Sequence, residues 1–380
     1  MGVASRSPSS PVLAVLAAGA LLAAGCDHSE APSEDPFATA EANVGEWTWI
    51  DVVGSTCRDG SSTGLGVRLQ DGADGLVIFL DGGGACYNAF SCGRNRAFYG
   101  EAQFPRFASL DGEIGLFLKD AAGLNPVGTW DAVFVPYCTG DDHTGDASDV
   151  VVPGVEGRQQ FAGRRNMERF VDLLAPYFRD REHVLLTGSS AGGYGALYNV
   201  GLVAEAFPEA TVTVVNDSGP VFEDDAVFSP ELQRRFRSLW ALDANLPLDF
   251  PDRDAPDGDG LANAYAYFAA RYPDVTFGLL AFDEDAVIRS YLGPGAVTAE
   301  TPTPLDAATY RRALYDEVAR LPSSWGAYVL PGERHVFLDE PGVLTTFWFG
   351  FDQPTVYLWL RDLIDGRPHV VTGEVDVVES

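Results

Sequence analysis

The segment Gly188–Gly192 has the pattern G-x-S-x-G and lies between an apolar run and a helical pattern. Residues 183–187 have the length and branching of a buried strand, and the apolar spacing from Ala196 to Val203 predicts a helix that ends before Pro208. In such a strand–turn–helix unit the serine lies at a sharp turn, where a Cβ on the flanking glycines would collide with neighbouring backbone. The motif predicts Ser190 as a nucleophile; a structural turn is the alternative.

A second glycine-rich turn is predicted to stabilise the charge that develops when a serine attacks an ester. Residues 76–80 have the pattern of a buried strand and lead directly into the segment Asp81–Cys86, where three glycines let backbone N–H groups approach a ligand. We expect the N–H groups of Gly83, Gly84 and Ala191 to form an oxyanion hole. A plain turn is one alternative; a phosphate loop is disfavoured because no Lys-Ser/Thr pair follows.

The general base is expected on a loop near the C-terminus if the catalytic residues follow the order Ser, Asp, His. His335 is one of five histidines, and it follows residues 325–330, which have the pattern of a final strand. We therefore predict His335 as the base, against an ordinary loop histidine. His143 lies in an acidic run that could line the mouth of a pocket, but we favour a solvated loop there.

The acid that orients the imidazole should follow the preceding strand. Residues 275–282 have the pattern of that strand, and Asp283 and Asp285 come directly after it, where open α/β sheets place functional groups. We favour Asp283. Asp285 is the competing candidate, because either aspartate can instead cap the helix that follows.

These residues belong to a set of segments that resembles the pectin acetylesterase and Notum carboxylesterase family. The similarity spans about residues 46 to 338 and rests on Asp81 to Asn88 with Cys92, Pro136 to Asp141, Gly188 to Gly193, Asn216 to Pro220, and His335. The resemblance implies an α/β-hydrolase-like fold, with a mostly parallel sheet and helices on both faces, and serine carboxylesterase chemistry on acyl esters.

The resemblance also assigns roles to individual residues. It places the nucleophile on Ser190, the acid on Asp283 and the base on His335, and it places the oxyanion donors on Gly83, Gly84 and Ala191. One position departs from the family. Notum-like members carry a bulky aromatic residue just after the paired glycines, where this chain has Gly84, so the shape of the acyl pocket does not carry over.

Length and composition predict one large esterase domain over residues 46–380. The chain has 380 residues, of which 46% are hydrophobic, and strand-like runs alternate with helical patterns, as in a mostly parallel sheet. Residues 221–273 interrupt this alternation and are rich in aromatic side chains. We predict that this segment forms a cap over the site, with ordinary helical packing as the alternative.

The N-terminus has the pattern of an export signal. Arg6 precedes the apolar stretch from Val12 to Ala24, which is short for a membrane span, and residues 22–26 resemble a bacterial lipoprotein signal that ends at Cys26. We therefore expect a signal peptide over 1–25, a lipidated Cys26, a disordered tether over 26–45 and attachment to a membrane of the cell envelope. Ordinary secretory cleavage, which gives a secreted protein, is the alternative.

With Cys26 assigned to lipidation, four cysteines remain in an exported chain, which is consistent with two disulfides. Three pairings are possible. We pair Cys86 with Cys92 because they are close in sequence, which leaves Cys57 with Cys138; free buried thiols are the alternative. No cysteine–histidine spacing suggests zinc, and we predict neither a metal nor a cofactor.

The charge balance restricts the substrate. The chain carries 25 basic and 55 acidic residues, a net charge of −30, which repels polyanions at long range and disfavours nucleic acid as a partner. We favour hydrolysis of acyl esters, acetyl esters above all, on a neutral or weakly acidic carbohydrate. The alternatives are a deacylase of lipids or acylated proteins, and a lipoprotein that uses a hydrolase scaffold only for binding.

Overall fold

The computed structural model describes residues 1–2, 35–119, 123–255, 259–298, 302–339 and 355–373. The chain divides into two units, Met1–Asp35 and Pro36–Ser380. The lipidation site at Cys26 and all but the first two residues of the predicted signal peptide lie outside the described residues. The second unit contains the described strands and helices.

Eleven strands are present in the described part of this unit. They are β1 (Thr48–Thr56), β2 (Ser62–Arg68), β3 (Gly75–Leu80), β4 (Asp131–Val135), β5 (Ala147–Val150), β6 (Gln159–Phe161), β7 (His183–Ser189), β8 (Thr211–Asp217), β9 (Thr276–Phe282), β10 (Trp325–Leu330) and β11 (Val370–Thr372). Nine of them form one sheet in the order β1-β2-β4-β3-β7-β8-β9-β10-β11, and β5 and β6 form a separate antiparallel pair. From β4 to β11 all neighbouring strands are parallel, whereas β1, β2 and β4 pair antiparallel. The predicted mostly parallel α/β sheet is confirmed.

Helices cover both faces of this sheet. They are α1 (Ala38–Ala42), α2 (Ala89–Gly93), α3 (Phe104–Ser109), α4 (Gly163–Phe178), α5 (Ala191–Tyr198), α6 (Val200–Ala206), α7 (Pro230–Trp240), α8 (Ala264–Arg271), α9 (Ala286–Leu292), α10 (Ala307–Arg320) and α11 (Val356–Ile364). Alternate side chains of β3 enter two different cores: Ile78 belongs to the core that contains Phe170 of α4, and Phe79 belongs to the core that contains Phe107 of α3. All six residues of β3 are buried, as expected of a parallel strand covered on both faces. None of the helices that the structure describes combines the length and the apolar character that a membrane crossing requires.

The predicted tether over 26–45 is wrong at its C-terminal end. Helix α1 occupies Ala38–Ala42, and Phe37 just before it is 2% exposed. The ring of Phe37 stacks on Tyr177 with centroids 3.8 Å apart and meets Phe178 edge-on. The polar composition of this stretch predicts disorder, but burial of one aromatic side chain against α4 fixes its end on the domain.

The parallel strands bring the predicted site residues to one edge of the sheet. Strands β3, β7, β8, β9 and β10 are consecutive neighbours in the sheet and all run in the same direction. Their carboxyl ends lead into Asp81, Ser190, Ser218, Asp283 and the loop that carries His335. This edge is where open α/β sheets hold their functional groups.

Candidate active site

Ser190 lies at a sharp turn between β7 and α5. Its backbone has φ 59° and ψ −116°, a left-handed conformation that an L-residue adopts only when the surroundings enforce it. A Cβ on Gly188 or on Gly192 would overlap the carbonyl oxygen of Leu80, so the turn requires glycine at both positions. The N–H of Ser190 donates to the carbonyl of Asp217 at 2.7 Å, which ties the turn to the end of β8.

The loop after β3 packs directly against this turn. A Cβ on Gly82 would lie 3.3 Å from the Cβ of Ser190, and the next two residues have positive φ values, 150° at Gly83 and 74° at Gly84. The Nδ2 of Asn95 donates to the carbonyl of Gly83 at 2.9 Å. That carbonyl and the N–H of Gly84 belong to one peptide unit, so Asn95 fixes the direction of a predicted oxyanion donor. Sequence reasoning did not single out Asn95.

Both predicted disulfides are present and their pairing is confirmed: Cys86 bonds to Cys92, and Cys57 bonds to Cys138. The first bond encloses most of α2, and it lies between Gly84 and Asn95 in the sequence. It therefore holds the segment whose amide orients the oxyanion loop.

Loss of the Cys86–Cys92 bond is expected to lower turnover more than stability. We expect Cys86→Ser with Cys92→Ser to reduce kcat for an acetate ester by about one to two orders of magnitude, at or below the cost of losing one oxyanion donor. The matched control is Cys57→Ser with Cys138→Ser, which opens a bond between residues 81 positions apart. Chain entropy gives that bond about 4.5 kcal/mol of stability, against about 2 kcal/mol for the short loop.

Kinetics and denaturant unfolding of the two double variants test this prediction. The role of the Cys86–Cys92 bond in the oxyanion loop is contradicted if its loss lowers the free energy of unfolding and leaves kcat unchanged.

The acidic run around His143 is not the solvated loop that the sequence predicts. His143 is 3% exposed, and its Nε2 lies 2.9 Å from the carbonyl oxygen of Asp81, at the start of the oxyanion loop. Burial lowers the pKa of His143 to about 4, so the ring is neutral near pH 7 and its Nε2–H donates to that carbonyl. Asp141 is buried because the hydroxyl of Thr139 and the N–H of Gly163 donate to its carboxylate.

The partner of His335 is Asp285, and the prediction that Asp283 orients the base is wrong. The Nδ1 of His335 lies 2.7 Å from Oδ2 of Asp285, whose side chain is 1% exposed. The Oδ1 of Asp285 accepts from the N–H groups of Val287 and Ile288 at 2.9 Å each, so this aspartate also caps α9. Binding the imidazole and capping the helix, which the sequence presents as alternatives, use different oxygens of one carboxylate.

Asp283 has a different set of partners. Its Oδ1 accepts from the N–H of Gly332 at 2.9 Å, and its Oδ2 lies 3.4 Å from the hydroxyl of Tyr315 and 3.3 Å from Nε of Arg311. Tyr315 and Arg311 belong to α10. Asp283 therefore joins α10 to the loop after β10, and its carboxylate is engaged away from the imidazole.

Asp217, at the end of β8, holds the loop that carries His335. Its Oδ2 accepts from the N–H groups of Phe337 and Leu338 at 2.8 Å each, and its Oδ1 accepts from the hydroxyl of Ser218. That hydroxyl in turn accepts from the N–H of Val336 at 3.1 Å. Burial raises the pKa of Asp217 to about 7, and the hydrogen bonds it accepts act in the opposite direction. In the sequence, the segment Asn216–Pro220 contributes to the family resemblance, but the resemblance assigns no role to Asp217.

A narrow cavity lies beside Ser190. The space open to water there is about 30 Å³, and its lining includes Gly84, Ala85, Asp142, Ser190, Ala191, Tyr194, Phe228, Phe236, Ile288, Tyr291 and Leu292. Tyr291 comes from α9, and a Cβ on Gly84 would overlap its hydroxyl. The ring of Tyr291 thus fills the room that the missing side chain at position 84 leaves. Phe228 and Phe236 belong to the segment 221–273; its role as a cap stays a prediction.

The arrangement contains the parts that ester hydrolysis by a serine requires. A serine at a strained turn, an imidazole hydrogen-bonded to a carboxylate and a glycine loop packed against the serine meet at one sheet edge. Within the described ranges, no group of three or more His, Cys, Asp or Glu side chains has the geometry to hold a metal ion.

A family model and several named proteins are similar to this chain in sequence. The family model described as Pectinacetylesterase matches residues 40–253. Palmitoleoyl-protein carboxylesterase NOTUM of Homo sapiens is 32% identical over 176 residues, 43% of this chain and 34% of that protein. Its counterpart in Drosophila melanogaster is 29% identical over 205 residues, 49% of this chain and 30% of that protein. The chain thus spans about a third of the length of these relatives.

A solved structure shows the same fold. The crystal structure of the Wnt deacylase Notum from Drosophila superposes with a TM-score of 0.59, covering 83% of this chain and 92% of that chain at 19% sequence identity. At this identity the match concerns the fold, and it agrees with the sheet and helices described above.

Proposed function

The chain belongs to the pectinacetylesterase family, a family of carboxylic ester hydrolases, and on this premise we propose that it is a serine esterase that removes acetyl groups from carbohydrate hydroxyls. The observation that carries the catalytic part is the 2.7 Å hydrogen bond between His335 and Asp285, on the sheet edge that presents Ser190. Asp285 takes the role of the orienting acid in this proposal.

In the proposed reaction the Oγ of Ser190 attacks the ester carbonyl while Nε2 of His335 takes its proton. The oxyanion of the tetrahedral intermediate accepts from the N–H groups of Gly83, Gly84 and Ala191. Collapse of the intermediate releases the sugar alcohol, which receives the proton from His335. A water molecule, whose proton passes to His335, then attacks the acyl-serine; collapse of this second intermediate frees acetate, and His335 returns the proton to Oγ of Ser190. Asp285 keeps the hydrogen of the neutral imidazole on Nδ1 throughout.

The narrow cavity supports a short acyl group. The space open to water in it is only about 30 Å³, and aromatic rings from α7 and α9 are part of its wall. A methyl group fits there, whereas a long acyl chain requires the aromatic side chains around it to move. Because Tyr291 occupies the room in front of Gly84, it sets the depth of this cavity.

Removal of the Tyr291 ring is expected to lengthen the acyl chain that the enzyme accepts. Each additional buried methylene contributes about 0.8 kcal/mol, so we expect Tyr291→Ala to raise the ratio of kcat/KM for butyrate over acetate about 10-fold. The measurement compares p-nitrophenyl acetate, butyrate and octanoate. Tyr272→Ala is the matched control, because that tyrosine bonds to Glu205 on the surface. An unchanged ratio in Tyr291→Ala would show that Tyr291 does not limit the acyl site.

The second candidate is a deacylase of lipids or acylated proteins, which is favoured by the similarity to the palmitoleoyl-protein carboxylesterases NOTUM. The same substrate series separates the two. A preference of the unmodified protein for octanoate over acetate supports this second function and contradicts the acetyl esterase.

We also propose that the protein acts outside the cytoplasm, held to an envelope membrane by a lipid on Cys26. Two disulfides fit an oxidising compartment. The mass of the mature N-terminal peptide tests the anchor, since secretory cleavage leaves it without a lipid.

A further inference from the structure

A second cavity adjoins the catalytic loops and shares no lining residue with the acyl cavity. It has a volume of about 540 Å³ and is bounded by the end of β3, the segment around α3 and the loop of His335. This size is within the range that accommodates a small organic ligand. The proposed function assigns nothing to it.

Two lining residues are sequence neighbours of residues in the proposed site, so the cavity lies beside the loops that carry that site. Val336 follows His335 directly, and Asp81 precedes Gly82, whose Cβ position is 3.3 Å from the Cβ of Ser190. An ester has an acyl side and an alcohol side, and the narrow cavity next to Gly84 takes the acyl side. His335 must deliver a proton to the departing alcohol, so the alcohol lies near the base.

We propose that this cavity binds the sugar unit whose hydroxyl carries the ester, an inference that rests on the proposed esterase function. The bound unit is a neutral monosaccharide residue of an oligosaccharide. The cavity provides both kinds of surface that such a ring requires. Aromatic side chains in its wall supply apolar surface for the C–H groups of the ring, and charged side chains in its wall supply donors and acceptors for the hydroxyls.

The contacts within the cavity fit a neutral sugar. The Arg96 guanidinium lies 5.0 Å above the ring of Tyr99 and 3.5 Å from the carboxylate of Asp81. Arg106 also lines the cavity, as does Asp339. Because both signs of charge are present, the cavity does not select a strongly charged ligand. The net charge of −30 also disfavours polyanionic chains.

Filling the cavity tests the proposal. Ala102 is an exposed residue on its wall, so Ala102→Trp adds bulk without disturbing the core. We expect this variant to raise KM for a mono-acetylated xylotriose at least 10-fold. For ethyl acetate, whose alcohol is too small to occupy the cavity, kcat/KM should stay within twofold. Arg106→Ala is a second variant, expected to raise the same KM about threefold to tenfold. Arg179 is an exposed arginine outside the cavity. Its replacement by alanine should change neither KM for the acetylated xylotriose nor kcat/KM for ethyl acetate.

The outcomes separate the subsite from the catalytic function. An unchanged KM for acetyl-xylotriose in both cavity variants overturns the subsite, and so does an equal loss on both substrates, because the change would then act on the catalytic centre. Hydrolysis of neither ester by the unmodified folded protein contradicts the esterase itself. In that case, binding of unacetylated xylotriose, measured by saturation-transfer NMR, tests the cavity alone. Signal that disappears in Ala102→Trp supports the subsite; no signal with the unmodified protein overturns it.

Discussion

Replacing Ser190 by alanine is expected to lower kcat for p-nitrophenyl acetate by about 10⁴-fold or more, while the protein stays folded. Loss of a serine nucleophile removes the covalent route, and the remaining oxyanion donors and substrate binding give only a small residual rate. The strained backbone at Ser190 belongs to a turn that alanine can also adopt, so the variant is not expected to unfold. Initial rates and circular dichroism measure the two effects.

Ser189→Ala provides the matched control for this experiment. Ser189 precedes the nucleophile, is buried, and makes one long contact of 3.4 Å with Asp217. We expect its loss to lower kcat less than 10-fold. Near-normal activity in Ser190→Ala would remove this residue from the mechanism.

Asp285→Asn is expected to lower kcat by about 10⁴-fold, and Asp283→Asn by less than 10-fold. An asparagine at 285 can still cap α9 through its carbonyl oxygen, so the helix should remain. Its amide toward His335 favours the wrong imidazole tautomer, which is the origin of the large loss. Asp283→Asn weakens a contact with Arg311 that does not include the imidazole.

Comparison of kcat/KM for the two aspartate variants under the same conditions tests this ranking. If Asp283→Asn causes the larger loss, the acid belongs at Asp283 and the hydrogen bond between Asp285 and His335 has another role.

Short sequence patterns were sufficient to predict the features for which the backbone geometry requires a particular residue type. The glycines around Ser190 are required because any Cβ there overlaps Leu80, and β3, β9 and β10 follow from unbroken apolar runs. The short spacing between Cys86 and Cys92 likewise predicted a bond that the structure contains. The apolar runs and the short disulfide depend on neighbours in the chain, and the glycine pattern is recognisable locally although the carbonyl oxygen it avoids belongs to Leu80 on β3.

The orienting acid could not be predicted in this way. Asp283 and Asp285 lie in one turn between β9 and α9, and an aspartate at either position suits either role. The choice depends on which carboxylate reaches the imidazole of His335 and which one instead binds Gly332 and Arg311. Those contacts join residues far apart in the sequence, so the local pattern does not contain them.

Composition was misleading at two further places. The acidic run around His143 has the composition of a solvated loop, but internal donors satisfy Asp141 and allow its burial. The room left by Gly84 is filled by Tyr291 from a distant helix. In both cases a residue from elsewhere in the chain decides the outcome: Gly163 binds the buried Asp141, and Tyr291 fills the space beside Gly84.

The two contacts of Asp217 indicate which segment can change in related enzymes without moving the residues of the proposed site. Its backbone carbonyl holds the turn of Ser190, and its carboxylate holds the loop of His335. In the proposed mechanism the nucleophile and the base are therefore both positioned from a single residue at the end of β8. The long segment between Pro220 and β9, which includes the predicted cap, does not set their separation. Insertions or deletions there can alter which substrates enter while the reacting atoms keep their spacing.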